Sequence, residues 1–491
     1  MLSRMVTAVV AVLLLVLAAS PAEARWYRAE SKRFIVYSDG DKDALAKFVS
    51  DLEDYDAILL DMMLVPAERV EPPKLKIYLV GRQEDLKIVR PNISSLVAGF
   101  YSASLDDIFF IADRPQSRDT LADDVIYHEY AHHFMYHYAT RSYPGWYVEG
   151  FAEYFGAVEL KDTSFIVGGL AHGRGYTLFN SKWVPLGDLL SKRPYEFKTG
   201  EESISFYAQA WLLTHYMRSD PQRLKQLNRY FAALTPDKNP AETWTEVTGD
   251  SMDALTVKLR AYARGNLPAT SFTRREKRKL APSTITELSP AAADFVLLQL
   301  RLSGGVEEKE QAAVLSLVRA RAAKYPGDHM AETTLARAEL GFGDFDKGRA
   351  LIGGLLARDP NDAEALQILG IALVQKAEDA KDEDKLLKEA RKYLARAYQA
   401  NNDDYRTLYY FTQAQRGLPG YPSENTVELL TEAQVRAPQV EEVPLTLASA
   451  LMSHKRWDEA VALLTPLAND PHGEGAAEAA QDMLRRIKAN R

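Results

Sequence analysis

The 491-residue chain contains no cysteine. That absence excludes disulfides, thiolate metal sites and a lipid-modified cysteine, so any bound metal must be held by nitrogen and oxygen. Histidine is scarce too, nine in all, and a pair of them at helical spacing therefore carries information. No apolar run after the first 24 residues approaches the roughly 20 needed to cross a bilayer, so no stable membrane span is expected once that segment is removed. Charge of one sign is also missing. Sixty basic against 68 acidic side chains leave a net −8, which gives no field favouring nucleic acid, and nucleic-acid binding is not expected.

What is present begins at the N-terminus. Arg4, an apolar run from Val6 to Ala19 and the small-residue stretch Ala22-Glu23-Ala24 have the pattern of a secretory signal. Residues 1–24 are expected to be cleaved and the protein exported, to a periplasm or to the medium. A hydrophobic share of 46% over this length is enough for more than one core.

The most informative residues are His128-Glu129-Tyr130-Ala131-His132 and, after a turn at Ser142, Tyr143, Pro144 and Gly145, the aromatic run 146–155. Four residues apart on a helix, His128 and His132 project from one face and can share a tetrahedral zinc ion. Glu129 then stands beside the metal, where a general base must be to take a proton from water without occupying a coordination position. A catalytic zinc needs a third protein ligand. Glu149, seventeen residues after His132 on a second helix able to fold back on the first, is the candidate. Glu153, one turn further, could accept the second N–H of a ligating histidine.

These two segments resemble the gluzincin metallopeptidases, most closely the short-linker peptidase-MA-like group, whose second half reads as proline, tryptophan and Glu-Gly-x-Ala-Glu-Tyr. Here those positions are Pro144, Trp146 and Glu149-Gly150-Phe151-Ala152-Glu153-Tyr154. The resemblance implies one zinc held by His128, His132 and Glu149, Glu129 as general base and Glu153 as a supporting carboxylate. It also implies that Tyr207, in Ser205-Phe206-Tyr207-Ala208-Gln209, begins a helix and donates to the oxyanion. No Gly-x-Met-Glu-Asn motif precedes the helix, and an aminopeptidase is not implied.

Around these motifs the periodicity predicts a small α+β domain over 25–265, zincin-like by the resemblance, with a mixed sheet and metal-binding helices. Strands are expected at Arg33–Ser38 and Leu75–Val80, a helix over 42–64, and a hairpin over 100–111 immediately before the metal helix. Residues 266–289, rich in Pro, Thr and Ser and carrying the basic run Arg274-Arg275-Glu276-Lys277-Arg278-Lys279, read as a solvated linker. From 290 to 491 the chain is rich in Ala, Leu and charge. Pro326 and Pro360 are 34 apart, the period of tetratricopeptide repeats, and Gly343-Asp344-Phe345-Asp346 and Lys455-Arg456-Trp457-Asp458 fit equivalent turns. The second unit thus resembles an all-α tetratricopeptide-repeat solenoid that binds a protein partner.

His133 and His137 lie off the metal face and are expected to be structural. His172 and His215 cannot be placed by sequence. The function expected is that of an exported zinc metallopeptidase acting on a peptide or protein substrate, with the repeats recruiting substrate or partner. The alternatives are a non-catalytic envelope scaffold with a structural zinc domain, and a zinc hydrolase of a non-peptide amide.

Overall fold

The structure is a computed structural model describing residues 25–490 except 67, 69, 70, 95, 96, 115–120, 139–142, 171, 172, 236, 237, 471 and 472. The expected signal segment lies outside the described residues. The chain opens with β1 (Tyr27–Glu30), β2 (Phe34–Ser38), α1 (Lys42–Met62), β3 (Leu75–Val80), a short α2 (Gln83–Val89) and the hairpin β4 (Gly99–Ala103) and β5 (Ile108–Asp113). Next come α3 (Leu121–Tyr138), α4 (Gly145–Gly156), β6 (Glu159–Leu160), β7 (Ser164–Val167), α5 (Arg174–Asn180) and α6 (Leu186–Ser191). A 3-10 turn at Pro194–Glu196 leads to α7 (Gly200–Arg218), α8 (Pro221–Ala233), α9 (Pro240–Thr248) and α10 (Met252–Ala263).

The strands follow from their side chains. β2 alternates buried and half-buried positions, whereas β3 and β5 are near-continuous apolar runs, as strands covered on both faces must be. They form the middle of a mixed sheet ordered β4-β5-β3-β2-β1-β9, the last strand being β9 (Thr284–Glu287), in which β2–β3 and β3–β5 are parallel and the outer pairings antiparallel. One face packs against α1 and α3, joining Val36, Ile77 and Phe110 to Val49, Leu52 and Phe134 in the main core.

Residues 266–289, expected to be a solvated linker, carry two short paired strands. β8 (Thr270–Thr273) pairs with β7, and β9 (Thr284–Glu287) pairs with β1 at the sheet edge. Between them Arg274 forks onto Asp54 at 2.8 and 2.7 Å, and Arg278 Nε lies 3.1 Å from the same carboxylate. The basic run is therefore partly neutralised by the acidic side of α1. These bidentate, largely buried pairs hold their geometry better than exposed ion pairs do.

β9 leads straight into a run of helices: α11 (Pro290–Ser303), α12 (Glu308–Ala322), α13 (His329–Phe342), α14 (Phe345–Arg358), α15 (Ala363–Ala377), α16 (Glu383–Ala400), α17 (Tyr405–Gln413), α18 (Glu424–Arg436), α19 (Glu442–Ser453), α20 (Trp457–Ala468) and α21 (Glu474–Asn490). Short connections join them in successive packed pairs, an all-helical repeat. Small residues mark close approaches between these helices. A Cβ on Gly348 would stand 2.6 Å from Leu340 Cγ, and one on Gly370 2.6 Å from Leu394 Cγ. The segment Glu378–Asp384 lengthens the α15–α16 connection and opens α16.

The repeats are fused to the sheet. Val296, Leu297 and Leu300 of α11 share a core with Tyr78, Phe109 and Ile111 and with Leu86 and Val89 of α2, so the first repeat helix covers the sheet's second face. At the far end Tyr136 Oη of α3 donates to Asp470 Oδ2 (2.6 Å), and Arg193 Nη1 donates to the Ala468 carbonyl (3.3 Å). Among the described residues no helix is long and apolar enough to cross a membrane.

Candidate metal centre

Helix α3 is pinned before it offers any ligand. Tyr130 Oη donates to Asp56 Oδ1 (2.6 Å), Arg33 Nε lies 3.0 Å from Asp56 Oδ2, and Tyr55 Oη donates to the Tyr127 carbonyl (3.1 Å). These buried polar contacts to α1 fix the rotation of α3, which decides where its imidazoles point.

α4 is buried along its whole length, as a helix this aromatic has to be. It lies between α3 and α7, and Gly150 explains how close it comes. A Cβ there would stand 2.1 Å from Thr214 Oγ1 and 2.5 Å from the Ala210 carbonyl oxygen of α7. Alanine would gain roughly 0.5–1 kcal/mol of helix propensity, but overpacking costs about 1–3 kcal/mol, more where backbone must shift. Gly150→Ala is therefore expected to lower the melting midpoint and to weaken metal binding through the adjacent Glu149. Unchanged thermal unfolding would show that the helices separate without penalty.

The two helices bring His128, His132 and Glu149 together, the one such group of three among the described residues. His128 Nε2 and His132 Nε2 are 3.1 Å apart, and Glu149 Oε2 is 3.6 Å from the first and 3.4 Å from the second. Tetrahedral ligands about 2.0–2.1 Å from zinc are about 3.3 Å from one another, and a point equidistant from these three atoms lies about 2.0 Å from each. The donor set therefore fits zinc in both size and chemistry. Glu149 is fully buried, while the His128 side chain keeps 19% exposure, which leaves one side of the triangle accessible.

Glu153 lies 3.6 Å from His128 Nδ1, beyond hydrogen-bond distance. Its carboxylate is taken instead by Arg174, whose Nε donates to Oε2 (2.8 Å) and whose Nη2 donates to Oε1. Burial pushes the Glu153 carboxyl up and Arg174 opposes that rise. Sequence reasoning overlooked Arg174. A carboxylate in an almost wholly buried aromatic helix needs a countercharge, but nothing in the spacing marks Arg174, 21 residues further on, as its source.

Glu129 follows His128 on α3 and is half-buried. Tyr207 does not begin its helix. α7 starts seven residues earlier, at Gly200, where Thr199 and Glu202 form a capping box, so Tyr207 sits two turns in. It nevertheless faces the site, with the Arg174 guanidinium 5.3 Å over its ring. Burial first, and then the charges of Glu149 and Glu153, push its phenol well above the usual value.

The remaining histidines separate cleanly. His133 Nδ1 is 3.0 Å from Tyr101 Oη of β4, and burial pushes its pKa down to about 3. His137 is likewise lowered, by burial first. His215 is a satisfied core residue between Tyr262 Oη (2.8 Å) and the Gly168 carbonyl (3.0 Å). His172 lies outside the described residues.

No family model matches the chain, and no curated protein matches it. Solved structures similar to part of it include a thermophilic TPR protein of Thermus thermophilus, TTC0263, at 22% identity over 40% of this chain and 99% of that one, with a TM-score of 0.34. Two others are MamA structures. MamA MSR-1 C2 is 17% identical over 35% of this chain and 89% of its own, with a TM-score of 0.25. The MamA RS-1 ArsTM double mutant is 16% identical over 41% and 95%, with a TM-score of 0.26. The repeat character of residues 290–490 rests on the pairing of this chain's own helices.

Proposed function

We propose that this protein is a zinc-dependent metallopeptidase of zincin-like fold. On this reading His128, His132 and Glu149 hold one zinc ion, and tetratricopeptide-type repeats bind a protein substrate or partner. The observation that carries the proposal is the buried triangle of donor atoms at tetrahedral spacing with Glu129 on the same helix beside it. A zinc ion bound there supplies Lewis-acid polarisation of a carbonyl and lowers the pKa of water toward neutrality. Glu129 takes the proton from the attacking water and delivers it to the leaving amine. Tyr207, its phenol kept protonated at neutral pH, donates a hydrogen bond to the oxygen that gains charge. Glu153, clamped by Arg174, keeps its carboxylate 3.6 Å from His128 Nδ1, on the side of that imidazole turned away from the triangle. The apolar segment near the N-terminus supports export as the setting for this activity.

A purely structural zinc site has no use for a carboxylate next to its first histidine, so the position of Glu129 favours catalysis over the scaffold reading. The test is elemental analysis of the purified full-length protein together with incubation against a broad peptide library. One zinc per chain is expected, with cleavage abolished by chelation and restored by zinc. Stoichiometric zinc with no cleavage across the library would favour the scaffold or a non-peptide amide substrate. Cleavage indifferent to chelation would remove the metal from the mechanism.

A further inference from the structure

The tip of the β4–β5 hairpin is seated against the repeat helices, chiefly α13, α15 and α17. Tyr405 Oη donates to the Ser104 carbonyl (2.5 Å), and Arg406 Nη1 donates to the Asp106 carbonyl (2.9 Å). Leu105 packs against two separate apolar clusters of the helices, one containing Leu340 and Tyr410, the other Tyr405 and Val440. Beside it remains a cavity of about 390 Å³, walled by Leu105 and Asp106 on one side and by Leu340, Ile368, Arg337 and Arg406 on the other.

The two arginines differ in what they still have to offer. Arg406 is committed to Asp404, with Nε 3.0 Å from Oδ1 and Nη2 2.5 Å from Oδ2. Among the described residues Arg337 keeps only long contacts, 3.9 Å to Glu364 and 3.4 Å to Ser303 Oγ, together with an electrostatic pull on the Asp106 carboxyl, which leaves much of its fork of donors for a carboxylate. The surface thus combines an apolar socket with an adjacent cation. What it holds in cis has the matching chemistry: one leucine followed by Asp106, whose carboxyl lies in the field of Arg337 and Arg406, whereas Asp107 is paired with Lys76 of β3 at 2.9 and 3.0 Å.

The same hairpin reaches the metal helix. β4 is the edge strand of the sheet, and its Tyr101 touches His133, the neighbour of His132 in sequence.

We propose that this surface of the repeats is a docking site for a protein segment carrying a large aliphatic side chain followed by an acidic residue, and that the hairpin tip is the intramolecular competitor such a partner displaces. An occupant tethered on the same chain acts at an effective concentration in the millimolar range or above, so the site is masked until a partner outbids it. Displacement releases Leu105 and loosens β4 at Tyr101, so docking on the repeats is felt at the metal helix. The docking itself stands apart from the peptidase reading, and only its consequence at the metal helix touches that reading.

The test uses full-length protein and a fluorescent peptide copying residues 102–108, with a scrambled peptide as control, followed by anisotropy. Leu105→Ala weakens the cis contact and is expected to tighten peptide binding at least tenfold over wild type, and adding Arg337→Glu should remove that gain. The scrambled peptide should bind neither form. Equal affinity of wild type and Leu105→Ala, or equal binding of the scrambled peptide, overturns the proposal. If Leu105→Ala does not fold, wild type decides the matter. Millimolar native peptide, but not the scrambled one, should then raise hydrogen exchange over residues 99–113, and unchanged exchange overturns the proposal as well.

Discussion

Glu129→Gln is expected to cut peptide hydrolysis by about two to four orders of magnitude, the usual contribution of a positioned general base, while zinc content and melting midpoint stay as in wild type. The separation follows from where the residue sits. Glu129 is half-buried and stands outside the triangle formed by His128, His132 and Glu149, so replacing one oxygen by an amide nitrogen keeps shape and ligands intact. The amide cannot take a proton from water. The loss should fall on kcat, because accepting that proton belongs to the transition state and not to substrate binding. Elemental analysis, thermal unfolding and kcat on the best library peptide measure the three quantities on one preparation. A variant that keeps its zinc and still cleaves at the wild-type rate would remove Glu129 from the mechanism, and with it the main reason for preferring an enzyme to a scaffold.

The grouping of His128, His132 and Glu149 is legible in the sequence because it depends on spacing that a helix enforces. Residues i and i+4 must share a face, so His128 with His132 and Glu149 with Glu153 can each be paired from their spacing alone. The turn at Pro144 and Gly145 then suffices to bring α4 back along α3. Central strands β2, β3 and β5 are legible for a similar reason, since burial on one or both faces writes apolar residues into them. Where burial leaves no such mark, the reading fails. β8 has all four side chains exposed and β9 three of four, so nothing in the composition of 266–289 distinguishes a paired strand from a solvated coil. Those strands are held by backbone hydrogen bonds and by arginines reaching acids more than two hundred residues away, and neither has a local signature.

The fusion of the repeats to the sheet is hidden for a related reason. α11 needs an apolar face whether it packs on a sheet or on a second helix, and the sequence looks the same in both cases. Its consequence reaches function. With α11 in the sheet's second core and the hairpin tip among α13, α15 and α17, the repeats cannot act only as a remote recruiting arm. They hold the edge strand that touches the metal helix.

Glu149→Ala should remove zinc from the protein. Changing residues that merely support a ligand already weakens metal binding about 10–100-fold, and loss of one ligand in three leaves a site with only two imidazoles. The effect on stability has the opposite sign in the two metal states. In the metal-free protein Glu149 is fully buried with two imidazole nitrogens 3.4 and 3.6 Å away, and taking a carboxylate out of water is unfavourable. Glu149→Gln, which keeps the volume, should therefore leave the metal-free protein at least as stable as wild type. Added zinc stabilises the folded state by the free energy of binding in excess of any binding to the unfolded chain. Wild type should accordingly melt higher with zinc, and the variant should melt at one temperature with or without it. Paired melting curves and elemental analysis on wild type, Glu149→Ala and Glu149→Gln read both signs at once. Full zinc retention in the alanine variant would sink Glu149 as third ligand. A glutamine variant that melts far below metal-free wild type would mean that the buried carboxylate is held in place for folding, with metal binding secondary to that role.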